Sequence, residues 1–236
     1  MNIAVIFAGG VGKRMHSKEC PKQFLKIYNK PIIIHTLEYF EKHPLIDAIV
    51  ISCVEEWMPY LEELIYKYRI EKVKKVVVGG ETGQLSIYNG LKAAEDVANG
   101  EKAIVLIHDG VRPLINAKLI TDNIESVKKN GSAITTAVVK ETILVVNEGT
   151  ATINYVPSRK NSRVARAPQS FWLNDILNAH EKALSEGKKD YIDSCTMMQE
   201  YGYDLFLVDG PGENIKITTP EDLELFKALL EIKNKY

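Results

Sequence analysis

The sequence predicts an α/β fold in which a Rossmann-like, mainly parallel sheet is flanked by helices and carries a protruding β-arm for dimerisation. Short, almost purely apolar runs rich in β-branched residues recur through the first half of the chain. Helical patterns separate these runs, and the alternation stops near residue 140. Strands buried on both faces have this continuous apolar character, and strands that alternate with helices form parallel βαβ units.

The first half of the chain supplies most of the predicted sheet. Four strands are expected at residues 2–7, 47–53, 74–80 and 103–109. Helices are expected between them at residues 31–43, 55–68 and 84–98, the first beginning at Pro31 because proline is favoured at the first helical position. Right-handed crossovers would place the loops that follow these strands at one edge of the sheet, where ligands bind in open α/β folds.

The second half departs from this alternation. A helix at residues 117–129 and a strand at 132–139 precede two extended stretches, 142–147 and 151–156, which we interpret as a β-arm at about 140–166. A pair of strands is marginally stable alone, so we expect the arm to pack on a second subunit of a homodimer. Later elements are expected as helices at 172–186 and 194–201, strands at 204–210 and 214–218, and a last helix capped by Thr219.

Composition limits the classes of function. The 236 residues carry a net charge of −1, which argues against a broad nucleic-acid surface, and no linker divides them into separate domains. The cysteines Cys20, Cys53 and Cys195 have no paired spacing, which favours a reducing compartment without a disulfide framework. The N-terminus resembles no signal peptide, and no apolar run approaches the roughly 20 residues that span a bilayer. We expect a cytoplasmic protein with neither nucleic-acid nor membrane partners.

A glycine-rich loop with the sequence FAGGVGKRM, residues 7–15, follows the first strand. It lacks the hydroxyl residue of a P-loop, where Arg14 stands, and the third glycine of a dinucleotide loop, where Met15 stands. Glycines let a backbone approach a ligand closely, and Arg14 and Lys22 add positive charge. The loop therefore favours a polyphosphate ligand, the alternative being a solvated basic loop.

Charged residues recur where other predicted strands end. Asp109 ends the fourth strand and is expected on the floor of a crevice, where it could bind Mg²⁺ beside phosphates or simply form a turn before Gly110. The cations expected around this crevice are Arg14, Lys22, Arg112, Arg159 and Lys216. We expect His108 to be a packed histidine. Because no Ser-His-Asp or Cys-His arrangement is evident, the pattern indicates phosphoryl-type transfer by positioning and charge neutralisation.

The segments AGGVGKRM, CPKQF, HDGVRP, APQ and NIKIT, in this order, resemble the cytidylyltransferases that act on polyol phosphates. The resemblance covers nearly the whole chain and implies a single nucleotidyltransferase domain over residues 1–236. It implies that CTP reacts with an alcohol phosphate to give a CDP-alcohol and pyrophosphate, with Mg²⁺ or another divalent cation as cofactor. Two groups compete, one acting on 2-C-methyl-D-erythritol 4-phosphate in isoprenoid synthesis and one making CDP-ribitol for teichoic acids and capsules.

The resemblance also implies roles for individual residues. The catalytic cations would be Arg14, Lys22 and Lys216. The CTP site would be lined by Ala8, Gly9, Gly10, Gly12, Gly80, Glu81, Ser86 and Gly110. The acceptor would be bound by Asp109, Arg112, Thr142 and Arg159, with Asp109 also placed to hold the metal. Thr142 and Arg159 would come from the partner's arm, so that each site spans two subunits.

Departures from the family pattern favour a ribitol-like pentitol phosphate as acceptor. The first loop has Ala-Gly-Gly at residues 8–10 where erythritol-type enzymes usually have A-A-G, and VPSR at 156–159 is closer to the ribitol-type P-N-R. Ala167 replaces a threonine, and Gly83 an arginine, that both groups commonly carry. The alternatives are methylerythritol phosphate or another polyol phosphate, a CTP-binding regulator without activity, and, more remotely, a dehydrogenase.

Overall fold

The computed structural model describes residues 1–9 and 20–235, with side chains through residue 233. The elements of the first half are β1 (Asn2–Ala8), β2 (Lys26–Ile27), β3 (Lys30–Pro31), α1 (Ile32–Lys42), β4 (Ala48–Cys53), α2 (Met58–Lys67), β5 (Val73–Val78), α3 (Gly83–Ala98) and β6 (Ile104–Asp109). The elements of the second half are α4 (Ala117–Asn130), β7 (Ser132–Val138), β8 (Val145–Val146), β9 (Ile153–Tyr155), β10 (Arg163–Trp172), α5 (Leu173–Ser185), α6 (Ser194–Glu200), β11 (Leu207–Asp209) and α7 (Pro220–Lys235).

Within the described part of the chain, seven strands form the central sheet in the order β11-β7-β10-β6-β1-β4-β5. Strand β10 runs antiparallel to β6 and β7, and the remaining neighbours pair in parallel. The side chains of β4 and β6 are buried throughout, as expected for strands covered on both faces. The prediction of a mainly parallel α/β sheet flanked by helices is confirmed.

Helices cover the sheet on both faces because successive residues of a strand point to opposite sides. Ala4 and Ile6 of β1 pack with residues of α1, α2 and α4 in one apolar cluster. Ile3 and Val5 pack with residues of α3, α5 and α6 in another. The loops between these layers are therefore held at the edges of the sheet.

The predicted helix starts were partly wrong, for reasons of local geometry. Pro31 pairs with Lys26 in the β2–β3 ladder and has an extended ψ of 144°, so α1 begins after it. The predicted helix at 55–68 begins with a 3₁₀ turn at Glu55–Trp57, and Pro59 then occupies the first turn of α2, where its missing N–H is tolerated.

The late strands also differ from prediction. The strand expected at 204–210 is confined to β11, and residues 214–218 form no strand. The apolar residues of this second stretch serve tertiary packing, since Ile217 is fully buried beside Phe226 of α7. The cap of α7 is as predicted, because the Asp222 backbone N–H donates to Thr219 Oγ1 at 3.3 Å.

The segment expected as an arm contains a separate sheet in which β8 and β9 pair antiparallel. The end of the predicted interval 140–166 lies within β10. Arg163 and Ala165 pair with β7, so the central sheet already resumes at residue 163. Whether the segment mediates dimerisation stays a prediction. No helix in the described ranges is both long and apolar enough to cross a membrane.

Candidate active site

Asp109 is the charged centre of the edge where the parallel strands end. It is the last residue of β6 and pairs in register with Phe7 of β1, so it lies beside the loop that follows β1. Its side chain is buried, with Oδ1 2.5 Å from Lys216 Nζ and Oδ2 3.1 Å from Arg112 Nε. The predicted grouping of Asp109, Arg112 and Lys216 is therefore present.

The two cations decide the charge state of Asp109. Burial alone would raise the pKa of this carboxyl, but Lys216 and Arg112 outweigh that effect and hold the pKa well below its ordinary value. Asp109 is therefore ionised at neutral pH, where it can accept hydrogen bonds or bind a cation. Lys216 leaves 40% of its side chain exposed, so an incoming anion can reach it.

Arg112 is held rigidly beside Asp109. Its Nη1 donates to the backbone oxygen of Asn214 at 2.8 Å, and His108 Nε2 donates to its backbone oxygen at 3.0 Å. His108 is fully buried against Phe40, and burial lowers its pKa to about 4. It is a neutral, packed histidine that supports the turn after β6.

Close backbone approaches shape the edge on the other side of Asp109, towards β5. A Cβ atom added to Gly9 would lie 2.7 Å from Ser86 Oγ, and one added to Gly80 would lie 2.3 Å from the Leu85 side chain. Ser86 Oγ in turn accepts from the Gly80 backbone N–H at 3.0 Å. These contacts bring the ends of β1 and β5 together with the start of α3.

Gln23 stabilises the same edge of the sheet by a hydrogen bond to the end of β1, a role that was not predicted from the sequence. Its buried Nε2 donates to the backbone oxygen of Ala8 at 2.6 Å. Gln23 lies in the 3₁₀ turn Lys22–Phe24, so the bond ties the segment that carries Lys22 to the end of β1. On the other flank of β1, the Gly110 backbone N–H donates to the Phe7 oxygen at 3.1 Å.

A cavity of about 280 Å³ opens beside Asp109. Arg112, Arg166 and Lys216 line its charged end. The remainder of its wall includes Gln84, Ile87, Gln169, His180, Asp193 and Met197. Its size and its mixture of charged and apolar groups suit a small polar ligand.

The chain is similar to known proteins over nearly its whole length. The family model described as IspD, 2-C-methyl-D-erythritol 4-phosphate cytidylyltransferase, matches residues 2–232. The chain belongs to the IspD family. A solved structure titled 4-diphosphocytidyl-2C-methyl-D-erythritol synthase, from Anaerococcus prevotii, superposes with a TM-score of 0.85 at 27% identity, covering 98% of this chain and 96% of that one.

This family includes relatives named for each of the two candidate acceptors. A ribitol-5-phosphate cytidylyltransferase of Vibrio parahaemolyticus is 55% identical over 232 residues, covering 98% of this chain and 96% of the relative. A 2-C-methyl-D-erythritol 4-phosphate cytidylyltransferase of Clostridium botulinum is 41% identical over 230 residues, covering 98% and 97%. The IspD-family chain is therefore a CTP-dependent nucleotidyltransferase, as predicted.

Several predicted site residues of this cytidylyltransferase are either outside the described part of the chain or away from the cavity. Gly10, Gly12 and Arg14 fall outside the described residues. Thr142 and Arg159 are exposed in the arm segment, and Arg159 Nη1 donates to the Lys140 backbone oxygen at 3.2 Å. Neither lines the cavity of the same chain. Glu81 is exposed in the turn before α3.

The cavity also contains residues that were not predicted from the sequence. Gln169 Nε2 donates to Asp193 Oδ2 at 3.2 Å, and its Oε1 accepts from the Cys195 backbone N–H at 2.8 Å. Asp193 caps α6 by accepting from the Thr196 backbone N–H at 2.9 Å. Gln169 belongs to the segment APQ, so the family resemblance could have identified it as a site residue. No motif in the sequence pointed to Arg166.

Proposed function

We propose that this IspD-family enzyme transfers the cytidylyl group of CTP to ribitol 5-phosphate or a similar pentitol phosphate. The observation that carries the proposal is the buried Asp109, paired with Arg112 and Lys216 at the mouth of a polar cavity. The acceptor is supported by the identity to the Vibrio parahaemolyticus relative, 55% against 41% for the Clostridium botulinum one. The products would be CDP-ribitol and pyrophosphate.

In the proposed reaction a phosphate oxygen of the acceptor attacks the α-phosphorus of CTP. A new P–O bond forms as the bond to the β-phosphate oxygen breaks, and pyrophosphate leaves with that electron pair. Arg14, Lys22 and Lys216 would neutralise the negative charge that accumulates on the phosphorus-bound oxygens. Lys216 is suited to this task because it is accessible yet aligned by Asp109.

The nucleotide would occupy the edge formed by the ends of β1 and β5. Its lining is proposed to be Ala8, Gly9, Gly10, Gly12, Gly80, Glu81, Ser86 and Gly110. Backbone groups supplied by close glycine approaches can distinguish cytosine from uracil by the exocyclic amine, because a site built to pair a polar group rejects an analogue that lacks it. The contact between Gly9 and Ser86 supports this placement.

Mg²⁺ or another divalent cation would be held by Asp109 and the phosphates of CTP. Magnesium is often bound through one or two carboxylates together with substrate phosphates, and the single ionised Asp109 fits that pattern. No cluster of three or more His, Cys, Asp or Glu side chains that could hold a metal occurs in the described ranges. The bound ion would withdraw electron density from the phosphates and align them.

The acceptor would be bound by Asp109 and Arg112 of one subunit and by Thr142 and Arg159 of its partner. The whole chain, residues 1–236, would then act as a single nucleotidyltransferase domain in a homodimer. Exposed apolar side chains on the arm segment support such an interface, since they otherwise face water. They are Ile143, Leu144, Val146, Ile153, Tyr155 and Val156.

Pyrophosphate release with CTP and Mg²⁺ tests this proposal. The acceptor panel is ribitol 5-phosphate, arabinitol 5-phosphate, 2-C-methyl-D-erythritol 4-phosphate and glycerol 3-phosphate. We expect the highest kcat/KM with a pentitol phosphate. A preference for 2-C-methyl-D-erythritol 4-phosphate would show that the acceptor is the one named for the Clostridium botulinum relative. Binding of CTP without turnover would favour a CTP-binding regulator.

A further inference from the structure

Arg166 is a cation at the same end of the cavity as Arg112 and Lys216, and the proposed reaction gives it no role. It lies on β10 and is half-buried. Its Nη1 donates to the backbone oxygen of Asn214 at 2.5 Å and to that of Gly212 at 3.2 Å. The same Asn214 oxygen accepts from Arg112 Nη1, so two guanidinium groups converge on one carbonyl.

This convergence leaves an excess of positive charge. Burial and the charge of Arg112 both lower the pKa of Arg166, and Glu213 opposes them only in part. Asp109 is already paired with Arg112 and Lys216. Partly buried like charges are unfavourable without a counter-charge, so this end of the cavity is suited to an anion.

The other carboxylate that lines the cavity does not compensate for this excess. Asp193 accepts hydrogen bonds from Gln169 and from Thr196 at the start of α6. These partners are neutral groups. The imbalance among the described charged residues is therefore local to the end formed by Arg112, Arg166 and Lys216.

Asn214 fixes the position of Arg166. It is fully buried, and its Nδ2 donates to the Ala167 backbone oxygen at 2.7 Å. The loop that supplies the carbonyl is thus tied to the residue that follows Arg166. A guanidinium held in this way presents a planar set of donors that matches the oxygens of a phosphate.

The order of the strands indicates which phosphate. Apart from Gly110, the proposed nucleotide residues follow β1 and β5, whereas β10 lies on the opposite side of β6. Asp109, at the end of β6, therefore separates Arg166 from the nucleotide edge. We propose that Arg166 is a specificity-determining residue that binds the phosphate of the acceptor alcohol phosphate together with Lys216. This inference rests on the proposed function.

The test compares Michaelis constants in the full-length enzyme. Arg166→Gln removes the charge, so we expect the KM for ribitol 5-phosphate to rise on the order of 10- to 100-fold, as for loss of a charge-assisted hydrogen bond. The KM for CTP should stay within about twofold, because the nucleotide lies on the other side of Asp109. Arg166→Lys keeps the charge and should recover part of the affinity.

Arg69→Gln is the matched control, because it removes the same charge from an exposed residue after α2, the helix that packs against the edge strand β5. It should change neither KM. Thermal midpoints and calorimetric titration with ribitol 5-phosphate would separate lost binding from a disturbed 212–214 loop, since a purely structural role lowers the midpoint and weakens both substrates.

An unchanged acceptor KM in Arg166→Gln would overturn the inference, and so would a parallel rise in both Michaelis constants. A failure of the proposed function would give a different result from a failure of this inference. If the wild-type enzyme prefers another alcohol phosphate, the assigned acceptor is wrong, but a selective effect of Arg166→Gln on that acceptor still supports the role of Arg166.

Discussion

Asp109 and Lys216 illustrate how a single residue pair sets the chemistry of the site. The carboxylate is buried and would be expensive to ionise alone, yet the ammonium 2.5 Å away keeps it charged. In return the carboxylate fixes the end of a long, flexible lysine side chain. A pre-aligned cation loses less entropy when it stabilises the developing charge on the phosphates.

His180 leads to a prediction about pH and stability. It is buried on α5 and stacks on Tyr88 with the two ring centroids 5.7 Å apart. Neither ring nitrogen has a hydrogen-bond partner among the described residues. Burial lowers its pKa from 6.5 to about 4. The unfolded state therefore takes up a proton first as the pH falls, and stability present above pH 6.5 is lost progressively towards pH 4.

We expect His180→Phe to reduce this loss. Phenylalanine keeps the aromatic stacking and cannot be protonated, so the fall in unfolding free energy between about pH 7.5 and pH 5 should shrink by about 2 kcal/mol. Urea unfolding at the two pH values measures the difference. A variant with the same pH dependence as the wild type would show that His180 is not neutral and buried in solution.

At the scale of elements, Gln23 leads to a prediction about the 3₁₀ turn Lys22–Phe24. Gln23→Met preserves most of the buried volume but removes the donor to the Ala8 oxygen. The turn would no longer be tied to β1, so we expect kcat to fall about 10-fold or more, since small displacements of catalytic groups are costly. Initial rates of pyrophosphate release measure this.

The control for that variant is Gln199→Met, which alters an exposed glutamine on α6. It should leave kcat unchanged. Circular dichroism should show the same helix content in both variants. A Gln23→Met enzyme with wild-type kcat would mean that Lys22 is positioned by other contacts or takes no part in the reaction.

The elements that could be predicted from the sequence are those with a strong local signal. The apolar strands β1, β4 and β6 and the cap of α7 depend on residues close in the chain, and they were predicted within about two residues. Residues 214–218 have the apolar pattern of a strand but form none, because their apolar residues face α7 and the turn after β6 instead of a neighbouring strand.

The site was predictable to a similar extent. Asp109 and Arg112 share one turn, and Lys216 stood in a segment that resembled the family. Arg166 could not be found in this way. Its place beside Arg112 depends on the carbonyl of Asn214, which is 48 residues further along the chain, and no local pattern reports such a contact.

At the scale of the whole molecule, the proposed dimer predicts complementation between inactive variants. Lys22→Ala and Arg159→Ala should each be nearly inactive if both residues serve the reaction. In a mixed dimer, one site would combine Lys22 of one subunit with Arg159 of the other and so be intact. Random mixing of two variants in a symmetric dimer should restore roughly a quarter of wild-type activity.

Co-expression with two purification tags isolates the mixed dimers, and pyrophosphate release measures their activity. Because one of the two sites in each mixed dimer is intact, the isolated species should have about half of wild-type activity. Each variant paired with itself is the control. Mixed dimers that remain as inactive as the single variants would place Lys22 and Arg159 in the same site of one chain, and the arm would then have no part in its partner's site.

The strand order has a consequence for synthesis on the ribosome. Strands β5, β4, β1 and β6 are neighbours in the sheet and all emerge before residue 110, so this half can assemble early. The free edge of β6 stays unpaired until β10 has been synthesised. Asp109 lacks its ion-pair partner Lys216 until almost the entire polypeptide has been translated. A nascent chain thus acquires its charge cluster among the last events of its maturation, and prematurely terminated products lack it.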